Sequence, residues 1–277
     1  MAGPAGTREC GDITMKAVVM FSGGKGSFLS AKRAADKFGA QEVVLLFADT
    51  MVEDPDVYEF IAAGAAYIGS ELVRVADGRT PFQVFHDRRF LGNSRQANCS
   101  ESLKVIPCRQ WVRDNAPADA VIVVGIDWME QHRVGAITAG YAPRQVWAPL
   151  CDKPLLLEKE MLQQIEAIGL KLPQSYAQGF GHANCMQQGC VRGGQAYWRH
   201  YLRVRPDQYK VTEQAEQDLR EYLGKDVSIL KQNRNGVTNY LTLRDFRNQL
   251  EKEPDMFSGM GDWGGCGCFV DEQPTVE

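Results

Sequence analysis

The chain of 277 residues lacks a run of about 18 consecutive apolar residues, the length a helix needs to span a bilayer. It also lacks a basic start followed by an apolar stretch at its N-terminus. Residues 1–14 therefore read as a disordered extension instead of a secretory leader, with Met15 as an alternative start. There is no excess of positive charge, since 31 Lys and Arg against 35 Asp and Glu give a net charge of −4. That argues against a global affinity for nucleic acid or anionic membrane. No internal repeat and no low-complexity tract is present. With 44% hydrophobic and 24% charged residues, the composition is that of a folded domain long enough to bury a core without staples. Disorder throughout, collagen-like repeats and a small disulfide scaffold are excluded. The expected compartment is a reducing cytoplasm. The eight cysteines are then expected to be core residues, metal ligands or nucleophiles instead of disulfides.

What is present falls into two halves. The first alternates strand and helix: strands over Lys16–Phe21, Glu42–Ala48, Glu71–Ala76 and Ala120–Gly125, and helices over Ser27–Phe38, Asp56–Gly69 and Ser100–Asn115, the last interrupted near Pro107. Short, largely apolar strands between helices predict an α/β fold with a doubly wound, mostly parallel sheet. The second half predicts helices over Lys159–Gly169, Ala196–Val204, Val211–Leu223 and Leu243–Glu253. A cysteine- and glycine-containing loop spans Gly179–Gly194, and a hairpin turns around Asn235-Gly236. The expected division is a sheet domain over 15–205 and a small C-terminal appendage over 206–277.

The first strand runs into Ser22-Gly23-Gly24-Lys25-Gly26-Ser27 and then directly into a helix. Glycines let successive N–H groups point at one place. The helix start adds its free N–H groups and the positive end of its dipole, and Ser22, Lys25 and Ser27 add side-chain donors. The expected occupant is an anion, namely a phosphate.

FSGGKGS resembles the SGGxDS loop of the PP-loop superfamily of adenine-nucleotide enzymes. Phe47-Ala48-Asp49-Thr50 with Pro55, Tyr58 and Phe60 is similar to the DTG…FPETYxF segment of the phosphoadenylyl-sulfate (PAPS) reductase family. Asn98-Cys99 with Leu103-Lys104 and Pro107 is similar to CCxxRKxxPL in its iron–sulfur members, and Gly125-Ile126-Asp127 with Glu130 and Arg133 is a looser match to GxRRxxSxxR. The likeness runs from about Lys16 to Arg205. It implies that Ser22–Ser27 hold the phosphate or sulfate end of ATP, PAPS or adenosine phosphosulfate (APS). It places Asp49 near the adenosine, and Lys104 and Arg133 near the anionic substrate. Gly26 stands where the loop aspartate of ATP-cleaving members would be, which tilts the expectation toward reductase-like chemistry.

The same resemblance implies a [4Fe–4S] cluster on Cys99, Cys185 and Cys190, with thiolates as the usual ligands. The pattern is loosened, because Asn98 replaces the first cysteine of CC, and CxxC has widened to Cys185-x4-Cys190. A fourth ligand is open between Cys108, Cys266, Cys268, His182 and none. Zinc, completed by His182, is the alternative metal. Cys108 and Cys151 otherwise read as ordinary core or surface thiols. Family reductases carry a catalytic cysteine in a C-terminal segment. Their ECGLH motif is absent here, but Cys266-Gly267-Cys268 offers either a nucleophile with its resolving partner or further metal ligands.

Two basic runs stand out: Arg88, Arg89, Arg95, Lys104, Arg109 and Arg113, and later Arg192, Arg199, Arg203, Arg205 and Lys210. They read either as solvated helix faces or as phosphate contacts. The expected activity is reduction of PAPS or APS to sulfite by a thiolate of Cys266 or Cys268, with a thioredoxin-like thiol donor. The alternatives are ATP-dependent thiolation of RNA or DNA, and a nucleotide sensor without turnover. No membrane partner is expected, and a homodimer is left open.

Overall fold

The structure, a computed structural model, describes residues 15–234, 237–253 and 263–264, the side chains of 233 and 234 excepted. The expected N-terminal extension and the Cys-Gly-Cys motif lie outside the described residues.

Five parallel strands form the central sheet. They are β1 (Ala17–Met20), β2 (Val43–Asp49), β3 (Glu71–Ala76), β4 (Val121–Val123) and β5 (Val146–Trp147), in the order β3-β2-β1-β4-β5. Every residue of β1 and β2 is buried, as expected of strands covered on both faces that are apolar but for the terminal Asp49. β3 lies at the edge and alternates between exposed and half-buried. The doubly wound α/β architecture expected from the sequence is the one observed. The fifth strand, only two residues long, is too short to show a strand pattern in the sequence and was not expected.

Helices α1 (Lys25–Phe38) and α2 (Pro55–Ile68) follow β1 and β2. They join β1, β2 and the later α-helix over Glu158–Ala167 in one core, around Phe28, Phe60 and Leu45. α3 (Pro81–Asp87) is capped by Thr80, whose hydroxyl accepts from the Gln83 N–H. The next helix runs as one rod from Asn98 to Asn115: α4 (Asn98–Ser100), a π-turn over Glu101–Val105, and α5 (Ile106–Asn115). The irregularity expected near Pro107 is this π-turn. Pro107 has no N–H to give and crowds the carbonyl one turn back, and the wider turn before it relieves that conflict. Beyond β4 come α6 (Val134–Tyr141), α7 (Glu158–Ala167) and α8 (Gln174–Ala177).

α9 (Gln195–Val204), α10 (Pro206–Leu223), the hairpin β6 (Leu230–Arg234) and β7 (Val237–Leu241), and α11 (Leu243–Lys252) complete the fold. The hairpin register pairs Leu230 with Leu241 and Arg234 with Val237, closing over two residues. A second core of Trp198, Tyr201, Tyr209 and Phe246 draws on both sides of residue 205. Inside it, the buried Glu216 carboxylate accepts the N–H groups of Ile229 (2.8 Å) and Leu243 (2.6 Å), tying α10 to the hairpin and to the start of α11. Burial pushes the Glu216 carboxyl up to about 7, and the two N–H donors oppose that shift. Among the described residues no helix is long and apolar enough to cross a membrane.

Candidate functional site

β1 ends at Met20, and the chain turns through Ser22-Gly23-Gly24 into α1. Gly23 has φ +77, and a Cβ there would lie 2.8 Å from Cγ1 of Val57, so only glycine takes this turn against α2. At Gly26 a Cβ would lie 2.7 Å from the Gly125 carbonyl oxygen, and at Gly125 one would lie 2.6 Å from the Ser27 nitrogen. The two glycines allow the start of α1 to rest directly on the end of β4. That contact leaves no room for a side chain at position 26.

Ser27 closes the turn. Its hydroxyl donates to the Gly24 carbonyl (2.9 Å) and accepts from the Gly24 N–H (3.2 Å), while the Ser22 hydroxyl donates to it at 3.4 Å. The Lys25 N–H donates to the Tyr176 hydroxyl at 2.9 Å. Phe28 makes the first bond back to Gly24, so the N–H groups of Gly26 and Ser27 have no carbonyl one turn behind them. Both residues border a cavity of about 360 Å³.

This cavity lies where the sheet order reverses, between β1 and β4, the position at which doubly wound sheets bind ligands. Ser22 and Gly24 to Ser27 form one wall and Gly125 to Asp127 with Arg133 another, and Gly181 to Asn184 close it from the cysteine loop. The Asn184 amide donates to the Ser22 carbonyl at 2.7 Å and fixes that third wall. Two cations face inward, each held by a carboxylate. The Lys25 ammonium is 2.8 Å from Glu158 and donates to the Gly181 carbonyl at 2.5 Å, and the Arg133 guanidinium is 2.5 Å from Glu130. Asp127 accepts the N–H groups of Met129 and Glu130, which shapes the turn that presents Arg133. The cavity thus offers helix-start N–H groups, hydroxyls and two cations to an anion.

Of the expected loop residues, Gly23 points away from the cavity toward α2. Asp49, expected near the adenosine, is fully buried. Its carboxylate accepts from the Met51 N–H (2.7 Å) and the Tyr58 hydroxyl (2.9 Å) and sits 2.5 Å from Arg74, away from the residues that border the cavity. In this arrangement it orders the end of β2.

Cys99, Cys185 and Cys190 border one space. They line a smaller cavity with Lys104, Arg192 and Thr50. The π-turn carries Lys104 into this cavity, where it is only 3% exposed. Cys185 adopts φ +60, a conformation rare outside glycine. It is stabilised by Glu53, which accepts the Cys185 N–H at 2.5 Å and the Thr50 hydroxyl at 2.9 Å. The Cys190 N–H donates to the Tyr197 hydroxyl at 3.0 Å. Burial, with Cys190 adding to it, raises the Tyr197 phenol well above its ordinary range, so it stays neutral. No three His, Cys, Asp or Glu side chains among the described residues stand close enough to hold a single metal ion. A lone zinc therefore does not fit the described donors. Three thiols beside two cations do match, in kind, the donor set of an anionic iron–sulfur cluster. The free space between them, about 30 Å³, is room for one or two waters, so a cluster is seated only with the thiols swung outward.

A chamber of about 280 Å³ adjoins both cavities. It shares Gly181, His182 and Gly264 with the larger one and Cys190 with the smaller. Its outer wall is the pair Trp263-Gly264. Gly264 forms an antiparallel bridge with Gly193, the Trp263 carbonyl accepts from Gly194 at 3.3 Å, and the Trp263 ring lies 5.4 Å from His200.

The sequence reading missed the pair that anchors this region. Arg205, counted there in a basic run, is buried. Its guanidinium contacts the Asp54 carboxylate at 2.7 and 3.0 Å and donates to the Gln178 side chain and the Met186 carbonyl. It clamps the cysteine loop between α2 and α9 and is closed to a phosphate. Asp54 sits at the start of α2 before Pro55, which reads as a helix cap, and nothing in the sequence points to Arg205 as its partner. In the first run, Arg88 pairs with Glu101 and Arg109 lies over Tyr141.

No protein-family model matches the chain, and no curated protein sequence matches it. Among solved structures, it is similar to phosphoadenylyl-sulfate (PAPS) reductase from Candida auris in its phosphate complex, at 14% identity and a TM-score of 0.41, over 59% of this chain and 77% of that one.

Proposed function

We propose that the chain is an enzyme that binds the phosphate end of an adenine nucleotide over Ser22–Ser27 and carries out thiol-dependent sulfur chemistry beside it. The most concrete form is reduction of PAPS or APS to sulfite. The observation that carries this reading is the row of adjoining spaces from the anion cavity, past the chamber, to Cys190, with Gly264 on the chamber wall. Cys266 and Cys268 follow Gly264 by two and four residues in the sequence.

The loop N–H groups, Lys25 and Arg133 would hold the phosphosulfate and spread the charge that collects on the departing phosphate. A thiolate of Cys266 or Cys268 attacks the sulfate sulfur. An S–S bond forms, the S–O bond to phosphate breaks, and AMP or adenosine 3′,5′-bisphosphate leaves. The second thiol, deprotonated, then attacks the S-sulfonate, which gives a disulfide and sulfite. A thioredoxin-like dithiol supplies the two electrons that restore both thiols. Cys99, Cys185 and Cys190 would hold a [4Fe–4S] cluster, with Lys104 and Arg192 balancing its charge, and when bound it would adjust the charge felt at the chamber.

The test is anaerobic purification, iron and sulfide determination, and assay of sulfite release from PAPS and APS with a dithiol donor. The reading expects about four irons per chain, sulfite from one of the two substrates, and loss of release in Cys266→Ser or Cys268→Ser. Iron-free protein that releases no sulfite from either substrate overturns it. Sulfur transfer to RNA or DNA with ATP, run in parallel, would replace it with the nucleic-acid reading. Tight nucleotide binding without turnover would replace it with the sensor.

A further inference from the structure

A second groove, of about 380 Å³, lies where the segment before α4 meets the C-terminal appendage. It shares no lining residue with the three spaces described above. Arg89, Arg95, Lys225 and Lys231 line it, from three separate stretches of chain, and no acidic side chain lines it among the described residues. The acid beside Lys225, Asp226, is taken by Arg220 at 2.9 Å. All four cations are exposed.

These cations are presented by ordered backbone. The Asn93 side chain accepts the N–H groups of Arg95 (3.0 Å) and Gln96 (3.2 Å), and its own N–H donates to the Gln96 carbonyl, which makes a closed turn with Arg95 on it. Arg89 takes φ +50 and lays its guanidinium over Tyr222 at 5.1 Å. Lys231 stands on β6 with its ammonium 5.5 Å from the centre of the Tyr240 ring, and that ring is 49% exposed on β7.

Four like charges in one concavity repel one another, and a chain with a net charge of −4 has acidic side chains elsewhere to relieve them. Their gathering fits a ligand whose own charges are negative and spaced along a line. Exposed rings beside the cations fit the bases between those charges, since any base can stack on them. A bilayer presents its phosphates in a plane, which a recessed groove does not reach. We propose that this groove binds single-stranded nucleic acid, RNA or DNA, with Arg89, Arg95, Lys225 and Lys231 on the phosphates and Tyr240 under a base. The inference stands independently of what the nucleotide cavity holds.

The test uses the full chain and labelled oligonucleotides of about 12 residues, dT and U, matched to a groove of single-strand site size. Anisotropy is followed from about 50 to about 200 mM salt. The proposal expects binding whose log K falls with log salt at a slope near −3, about 0.7 per phosphate neutralised. Reversing two charges in Arg95→Glu/Lys231→Glu should weaken binding at least about tenfold and flatten the slope by about 1.4. Tyr240→Ala should weaken binding about tenfold while leaving the slope unchanged, a split that a purely electrostatic surface would not give. Circular dichroism checks that each variant is folded, and Lys225→Gln/Lys231→Gln replaces the reversal if it is not. Oligonucleotide binding that these variants leave unchanged overturns the proposal, as does the absence of oligonucleotide binding, whether or not phosphatidylserine vesicles are captured.

Discussion

The anion cavity and the cysteine cavity lie next to each other and are built in opposite ways. The first is a backbone construction. Five of the six residues from Ser22 to Ser27 border it and supply most of its donors, and two glycine contacts set their position. The second is assembled from side chains on segments far apart in sequence, Cys99 and Lys104 on one and Cys185 to Arg192 on the other. A local turn is specified by its own residues. A convergent set depends on whatever holds its parts together, here the buried Asp54–Arg205 pair, Glu53 beneath Cys185, and the aromatic core under the cysteine loop.

The largest expected effect breaks the second construction. Arg205→Ala leaves Asp54 buried without its cation and should cost about 3–5 kcal/mol, read from urea unfolding. Anion binding at the first cavity should survive in whatever fraction stays folded. If thiol accessibility and stability are both unchanged, Arg205 is not the clamp. Next comes the first construction. Gly26→Ala pushes a methyl against the Gly125 carbonyl and should cost about 1–3 kcal/mol together with most nucleotide affinity, measured by calorimetry with AMP. Gly26→Asp should behave worse still, without gaining ATP cleavage.

The contrast accounts for what could be read in advance. The strands, the glycine turn after β1 and the helix after it were legible because apolar runs and glycines act locally. The grouping of three cysteines came from the family resemblance and not from their spacing alone. The meaning of Arg205 was not legible, because a buried arginine and a solvated one look alike in a run of basic residues. Asp49 followed the same logic in reverse: its place at the end of β2 was visible, but not the Tyr58 and Arg74 groups that turn its carboxylate away from the cavity. β5 was missed because two residues of strand carry no periodicity.

Two smaller effects sharpen the comparison. Glu216 is protonated in the folded chain up to about pH 7, whereas its ordinary value is 4.5. Between those values the folded state binds more protons than the unfolded one. Stability should therefore fall as pH rises from about 4.5 to 7 and level off on either side of that window. Urea midpoints across that range test this, and Glu216→Gln should remove the slope. That variant should also cost about 1–3 kcal/mol, because its amide nitrogen would face one of the two N–H donors. Cys108 should show the least change of all. Burial pushes its thiol up to about 12, so iodoacetamide at neutral pH should leave it unlabelled in the folded protein while labelling the half-buried Cys99, Cys185 and Cys190 of metal-free protein, as mass mapping would show.

The π-turn over Glu101–Val105 carries a consequence of its own. A π-turn holds one residue more than an α-turn, and each residue advances a helix by about 100°. The rod from Asn98 to Asn115 therefore keeps two phases. The stretch before the turn presents Cys99 to the cysteine cavity, and the stretch after it presents Cys108 and Val112 to the sheet. Deleting one residue within the turn would heal the helix and throw one of these two faces out of alignment. The gene for this segment can thus tolerate exchange of side chains on either face separately, but not a change in the count of residues between them.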